Sequence, residues 1–217
     1  MYKINETTNK AQNRIMELAN PKPEMLDMDQ LVSITHSAFG TKVSVNQIKS
    51  NLLNVDFLHL IYTSEEEARL IGFASYRTFI TYMGRILYLI GVAIDKPEQR
   101  NGSFSASICK AIEKAKPDYL ATRTQSMVLY HAVSKINGVV YPCLKEPTKD
   151  AVRVGSIIAA ICGTNDYNKD KFISLSAYPS SLYSSEPETS DAIAKRVFEL
   201  LRFDIRRWRL SYSCSTS

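Results

Sequence analysis

No stretch of this sequence stays apolar for the roughly 20 residues a helix needs to cross a bilayer. The longest candidate, 154–163, falls short and is broken by Gly155 and Gly163. The opening residues, MYKINETTNKAQNR, hold no apolar block of the kind a secretory signal carries. A cytoplasmic protein with no membrane segment is therefore expected. Cysteines are few: Cys109, Cys143, Cys162 and Cys214, with no Cys-x-x-Cys and no histidine at zinc-like spacing. That pattern supports neither a disulfide framework nor a structural metal, and no metal is expected. Cys109, set among apolar residues at helical spacing, reads as a reduced, buried thiol. There is no Gly-x-x-x-x-Gly-Lys-Ser/Thr and no Gly-x-Gly-x-x-Gly, so neither a P-loop nor a dinucleotide fingerprint is present. No internal repeat is found.

What remains is an ordinary globular composition. The 217 residues are 45% hydrophobic and 23% charged, enough for one good core. Lys and Arg number 27 against 22 Asp and Glu, a net +5 that suits an anionic ligand without demanding one.

Along the chain, residues 1–25 form a polar N-terminal extension in which Ile15, Met16, Leu18 and Ala19 suggest a short helix. Asn20-Pro21-Lys22-Pro23 ends it. Asp27 or Asp29 caps a helix through Phe39, with Leu31, Ile34, Thr35 and Ala38 on one face and Gly40 as its stop. A second helix covers 46–53. Three runs joined by short polar turns then follow, at 57–63, 70–80 and 85–94, and predict an antiparallel meander. The third run, almost wholly apolar, is expected at the centre of the sheet. Next come a helix over 103–116 with Phe104, Ile108, Ala111, Ile112 and Ala115 as its apolar stripe, a strand at 119–123 and a helix at 126–136. Strands are expected at 139–141, 172–178 and 208–214, and helices near 157–162 and 192–203. The fold class is α+β with a mixed sheet, and 26–217 reads as a single domain.

The segment most suggestive of chemistry is the junction between the buried third run and the following helix: Arg100-Asn101-Gly102-Ser103-Phe104-Ser105. A strand that passes through small residues into a helix leaves free backbone N–H groups at the positive end of the helix dipole, which suits a phosphate. A plain capped helix after an ordinary loop is the alternative.

The order of LIGFASYRTF, then LYLIGVAIDKPEQRNGSFSASICKAIEKA, then a helix with Val128-Leu129-Tyr130 resembles the GNAT superfamily of N-acetyltransferases over about 30–141. Residues 141–217 match poorly. The resemblance implies a mostly antiparallel mixed sheet, flanked by helices and splayed between its fourth and fifth strands, with acetyl-CoA as cosubstrate. The family's Arg/Gln-x-x-Gly-x-Gly/Ala motif fits in two registers. With Arg100 first, Ser103 and Ser105 take the small positions and Phe104 joins Ile108 on the buried face. With Gln99 first, Gly102 matches but Phe104 falls on the last small position. The Arg100 register is preferred on steric grounds.

The resemblance further implies that Val92, Ala93 and Ile94 offer main chain to the pantetheine arm; Gly91 marks either a bulge where the splay begins or a close approach of a neighbouring helix. It implies that Arg100, Asn101, Gly102, Ser103, Phe104 and Ser105 bind the pyrophosphate, and that Tyr130, in the Leu129-Tyr130 pair, is the catalytic acid. Three departures stand out. The family's Asn before that Tyr is absent, its Gly after it is displaced to Gly138, and the 85–94 strand carries no carboxylate to serve as a base. Tyr88 is the only side chain there able to organise a water, and His131 lies about 100° around the helix from Tyr130. His36 and His59 read as ordinary surface or core histidines.

The acceptor is expected to be a primary amine of a small molecule or a protein. Tyr76, Tyr82, Tyr178 and Tyr183 are candidates to line an aromatic acceptor site, though tyrosines also suit a half-buried sheet. A non-catalytic member of the same fold that binds acyl-CoA or a protein is the alternative. Arginines interleaved with aromatics at 202–209 raise nucleic-acid binding, but a basic amphipathic end with Phe203 and Trp208 packed inward accounts for them. No nucleic-acid partner is expected, and oligomeric state is not fixed by the sequence.

Overall fold

The computed structural model describes residues 13–40, 43–136, 138–174, 181–184 and 187–201. The described residues up to Arg123, with 182–184, form one compact unit, and the remainder form a second. The expected features at 202–214, and Tyr178, lie outside the described residues.

The first unit is built on a five-stranded sheet in the order β1 (Arg14–Ala19), β2 (Phe57–Tyr62), β3 (Leu70–Thr81), β4 (Gly84–Ile94), β5 (Tyr119–Thr122). Its first four strands are antiparallel neighbours, and β5 runs parallel to β4. This is the expected mixed, mostly antiparallel α+β sheet. Helices α1 (Met28–Phe39) and α2 (Val45–Leu53) precede β2, and α3 (Ser103–Ala115) connects β4 to β5. Asp27 caps α1 by accepting the Gln30 N–H at 3.0 Å, and Gly40 ends it in the left-handed conformation at φ 64°.

Two expectations change at the N-terminal end. Residues 14–19 form an edge strand rather than a helix, paired residue for residue with β2 from Arg14↔Tyr62 to Ala19↔Phe57. Six residues of mixed pattern suit either form, and the free edge of β2 decides it by completing their backbone hydrogen bonds. The segment set apart as an extension therefore contributes to the sheet. With β1 added, β3 rather than β4 is the middle strand, and all of residues 70–76 are buried.

Alternation along the strands assigns the two faces. Leu58, Leu60, Phe73 and Ala93 pack with Leu31, Ile34, Ile48 and Leu52 of α1 and α2. Phe57, His59, Ile61 and Tyr76 point to the other face, which α3 covers with Ser103, Ser107, Ile108, Ala111 and Ala115. The buried stripe of α3 thus runs through two serines, while Phe104 and Ile112 are only half-buried.

Ser107 belongs to a polar chain through that core. Its Oγ lies 2.9 Å from both His59 Nδ1 and the Tyr76 hydroxyl, and His59 Nε2 lies 3.4 Å from Glu17 on β1. Glu17 also pairs with Lys114. A carboxylate only accepts, so the neutral ring donates from Nε2 to Glu17 and accepts at Nδ1 from Ser107, which accepts from Tyr76. Every member is satisfied, and the chain ties β1, β2, β3 and α3 together.

In the second unit, α4 (Met127–Ser134), α5 (Lys149–Ile161) and a helix over 192–201 accompany a short ladder of β6 (Tyr167–Asn168) and β7 (Ile173–Ser174). No strand forms at 139–141. The described part of the expected 172–178 strand pairs with β6 instead of completing the main sheet. A tight turn directs it there: the Asn168 side chain accepts the N–H groups of Asp170 and Lys171, both at 3.1 Å.

Burial holds the His59 imidazole below its ordinary range, against the opposing pull of Glu17. Burial alone would raise the Glu17 carboxyl, but Lys114 and His59 hold it below the ordinary range. Both folded-state values are depressed. The unfolded chain therefore takes up protons first as pH falls, and stability present above about pH 6.5 is lost below it. The melting temperature is expected to fall between pH 7 and pH 5, and His59→Gln to flatten that slope while lowering stability at pH 7. Equal slopes in thermal denaturation of the two proteins would remove His59 from this role.

Candidate active site

The site begins where the β4–β5 ladder stops. Parallel pairing runs from Ile86↔Tyr119 to Leu89↔Thr122, and beyond it, among the described residues, β4 continues through 90–94 paired with β3 alone. At the same point β3 and β4 shift register, from Ser75↔Gly91 to Tyr76↔Leu89, so Ile90 is an extra residue. The bulge therefore sits at Ile90, immediately before the expected Gly91. A Cβ at Gly91 would meet the Ser75 hydroxyl at 3.5 Å and Asn51 at 3.7 Å, ordinary contacts, so packing there does not demand glycine. The extra residue turns the strand, which is what a bulge contributes.

The Asp95 N–H donates to the Ile71 carbonyl at 2.8 Å, directing Asp95, and by alternation Ala93, toward β3. Val92 and Ile94 then turn their main-chain groups into the gap left by β5. The Ile94 carbonyl is met there by the Gln99 side-chain amide, which donates to it at 3.0 Å. Of the three candidate residues on β4, two face the gap and Ala93 bonds within the sheet.

The connection to α3 is shaped by two left-handed residues, Arg100 at φ 68° and Gly102 at φ 80°. Gly102 is the N-cap of α3, and no side chain caps the helix. The first bond of the helix runs from the Ala106 N–H to the Gly102 carbonyl at 2.9 Å, which leaves the amides of Gly102, Ser103, Phe104 and Ser105 without intrahelical acceptors. Arg100, Asn101, Gly102 and Ser105 are exposed, and Phe104 is half-buried. Ser103 is buried, its hydroxyl accepting from the Asn13 amide at 2.6 Å. The two serines are therefore not equivalent: one is held in the protein and one faces outward.

Side chains pin this connection from several directions. Asp95 accepts the Ser37 hydroxyl at 2.6 Å and Arg69 at 3.3 Å, while Glu98 accepts Arg69 at 2.5 Å and the Asn101 amide at 3.4 Å. Ser37, Arg69 and Asp95 were missed in the sequence, because contacts across 26 to 58 residues leave no local spacing signal, and Gln99 was weighed there only as the first residue of the second motif register.

Tyr130 lies on α4 in the second unit. It is buried, and its hydroxyl donates to the Pro142 carbonyl at 2.7 Å. Its ring stands edge-on to Phe198 at 5.8 Å, beside Ala194 and Val197. Burial, with Cys143 and Asp191 nearby, raises its pKa, so the phenol is protonated at neutral pH. His131 Nδ1 lies 3.3 Å from the Asp191 carboxylate. His36 donates to the Val43 carbonyl at 2.9 Å. The described tyrosines of the expected acceptor site do not gather together: Tyr76 is buried under α3, Tyr82 is 81% exposed at the β3–β4 turn, and Tyr183 packs on Phe39 at 4.9 Å. Among the described residues there is no group of His, Cys, Asp and Glu suited to a metal, and no helix long and apolar enough to cross a membrane.

No family model matches this chain, and no curated protein does either. Solved structures do match. An aminoglycoside acetyltransferase from an uncultured soil metagenomic sample, in complex with sisomicin, is 17% identical with TM-score 0.43, over 64% of this chain and 96% of that one. A GNAT family acetyltransferase of Staphylococcus aureus is 15% identical with TM-score 0.43, over 62% and 98%. Arabidopsis thaliana NAA60, in complex with a bisubstrate analogue, is 12% identical with TM-score 0.44, over 61% and 86%. Likeness at this level assigns no residue a role.

The hydrogen bond from Tyr130 to Pro142 is expected to contribute about 1 kcal/mol. Tyr130→Phe should therefore lower the melting temperature by about 2–4 °C for a chain of this size. An unchanged melting temperature would show that the bond adds nothing net.

Proposed function

We propose that the chain is an acetyl-CoA-dependent N-acetyltransferase of GNAT type that acts on a primary amine of a small molecule or protein in a ternary complex. The observation that carries this reading is the succession, within one connection, of the β4 edge left by β5 at Val92 and a helix start over 102–105 whose amides lack intrahelical acceptors. It joins a strand edge able to pair with an amide-bearing arm to a helix start able to hold a pyrophosphate. Arg100, exposed beside those amides, adds positive charge. A cytoplasmic setting fits the cysteines Cys109, Cys143 and Cys162, which are free thiols.

Acetyl-CoA, when bound, supplies a thioester whose carbonyl carbon an amine can attack, forming C–N and breaking C–S. The protein's share is to orient that carbonyl with β4 amides, stabilise charge developing on its oxygen, and return a proton to the departing sulfur. In this reading Tyr130 is the acid. It holds its proton at neutral pH and must release the Pro142 carbonyl to act.

Two observations favour a second reading, an acyl-CoA-binding protein without turnover: β4 carries no carboxylate, and the Tyr130 hydroxyl is engaged. Calorimetric titration of acetyl-CoA, with Arg100→Glu/Ser105→Glu as control, addresses both. The enzyme reading expects micromolar binding lost in the folded double variant, thiol release with amines, and at least a tenfold fall in kcat for Tyr130→Phe with binding intact. Binding without thiol release supports the second reading. No binding at millimolar acetyl-CoA would sink both.

A further inference from the structure

We infer that Arg69 is a positioning residue for the β4–α3 connection, acting on cosubstrate affinity without touching the ligand. The inference rests on the acetyl-CoA reading of that connection. Arg69 sits just before β3, far in sequence from the loop it reaches. One arm of its guanidinium meets Asp95 at 3.3 Å and the other meets Glu98 at 2.5 Å. The remaining oxygens of these carboxylates are also used. Asp95 accepts the Ser37 hydroxyl of α1, and Glu98 accepts the Asn101 side chain, next to the helix start. Ser37 in turn accepts the Lys96 N–H at 3.3 Å. Arg69 thus bridges both ends of the short turn at Lys96–Glu98, the piece of chain that sets where Arg100 and Gly102 begin.

Charge acts on this connection in the same direction as geometry. A loop meant for a pyrophosphate carries two carboxylates, each of which opposes an anion. Arg69 is the cation against both, and it does so as a fork, which a lysine cannot reproduce. An isolated surface pair contributes little. Here one guanidinium serves two carboxylates that are each only about a quarter exposed, at 22% and 23%, within a network of further hydrogen bonds.

The test uses the full chain, with Arg69→Ala, Arg69→Lys, Glu98→Gln and the Arg69→Ala/Glu98→Gln pair. Each is titrated with acetyl-CoA and with acetyl-pantetheine, which lacks the pyrophosphate. Amide hydrogen exchange of the ligand-free proteins is followed over residues 95–106. Arg69→Ala is expected to weaken acetyl-CoA about five- to tenfold and leave acetyl-pantetheine unchanged. Arg69→Lys should recover little of this, and Glu98→Gln should restore part of the loss in the Ala background, the non-additivity that coupled neighbours show. Exchange should rise over 95–106 while the rest of α3 keeps its protection. A general loss of stability would lower both ligands alike and would not be rescued by Glu98→Gln. Wild-type affinity and wild-type exchange in Arg69→Ala overturn the inference. If the wild type binds no acetyl-CoA, the enzyme reading falls, and exchange alone decides whether Arg69 holds the loop.

Discussion

Everything that marks this fold for chemistry follows from one interruption. A strand buried in a sheet must satisfy its main-chain donors and acceptors on both edges, and β4 does so only as far as Leu89. Beyond the Leu89↔Thr122 pair, residues 90–94 have a neighbour on one edge alone, and the extra residue at Ile90 turns the strand as the pairing ends. Part of the unmet capacity is taken up inside the chain, by the Gln99 amide on the Ile94 carbonyl. The remainder faces the gap. Four further amides lack intrahelical acceptors a few residues on, at the start of α3, because Gly102 caps the helix without a side chain. Unmet main-chain polarity in two successive pieces of one connection is what the proposed reading assigns to an extended, anionic ligand.

Such a site needs its helix fixed, because amides aimed at a phosphate lose their value if α3 moves. Apolar packing supplies most of that restraint through Ile108, Ala111 and Ala115. The chain Glu17–His59–Ser107–Tyr76 adds direction to it. Burying His59, Ser107 and Tyr76 is tolerable only when each is paired, since each unpaired group costs about 1–3 kcal/mol. The pairing holds for one rotation of α3 and one register of β1. The network therefore specifies an arrangement more than it adds stability, and it explains why a polar stripe lies where an all-apolar one would pack as well.

The meander, the three helices of the first unit and the strand–loop–helix junction were legible in the sequence because each is written locally. The uninterrupted apolar run of β4, the Asp27 cap and Gly40 stop of α1, and Gly102 ahead of a helical period each involve neighbours in sequence. β1 was not legible, since six residues of mixed pattern take their conformation from the free edge of β2, some forty residues away. Nor was the serine-lined face of α3, whose pairing depends on a histidine and a tyrosine from two other strands. Around the helix expected near 157–162, which lies within α5, local pattern misled: Val139 and Val140 read as a strand but sit in irregular chain, and Ile173 joins a hairpin fixed by the Asn168 turn.

The two halves of the proposed reaction differ in how they depend on sequence. Cosubstrate binding rests on backbone, which every residue supplies, so serines can replace glycines wherever the conformation is an ordinary one. Two residues of the connection, Arg100 at φ 68° and Gly102 at φ 80°, sit where a side chain is strained, and the second is glycine. Proton transfer has no such freedom, because a base or an acid must be a particular side chain in reach of a particular atom. On β4 the carboxylate is missing, and on α4 the tyrosine hydroxyl is bonded to a carbonyl. A chain can therefore drift far in sequence and keep the first half intact while the second becomes hard to recognise. In the proposed reading binding and turnover are therefore separable, binding resting on the main chain of β4 and α3 and turnover on side chains that must each be established individually.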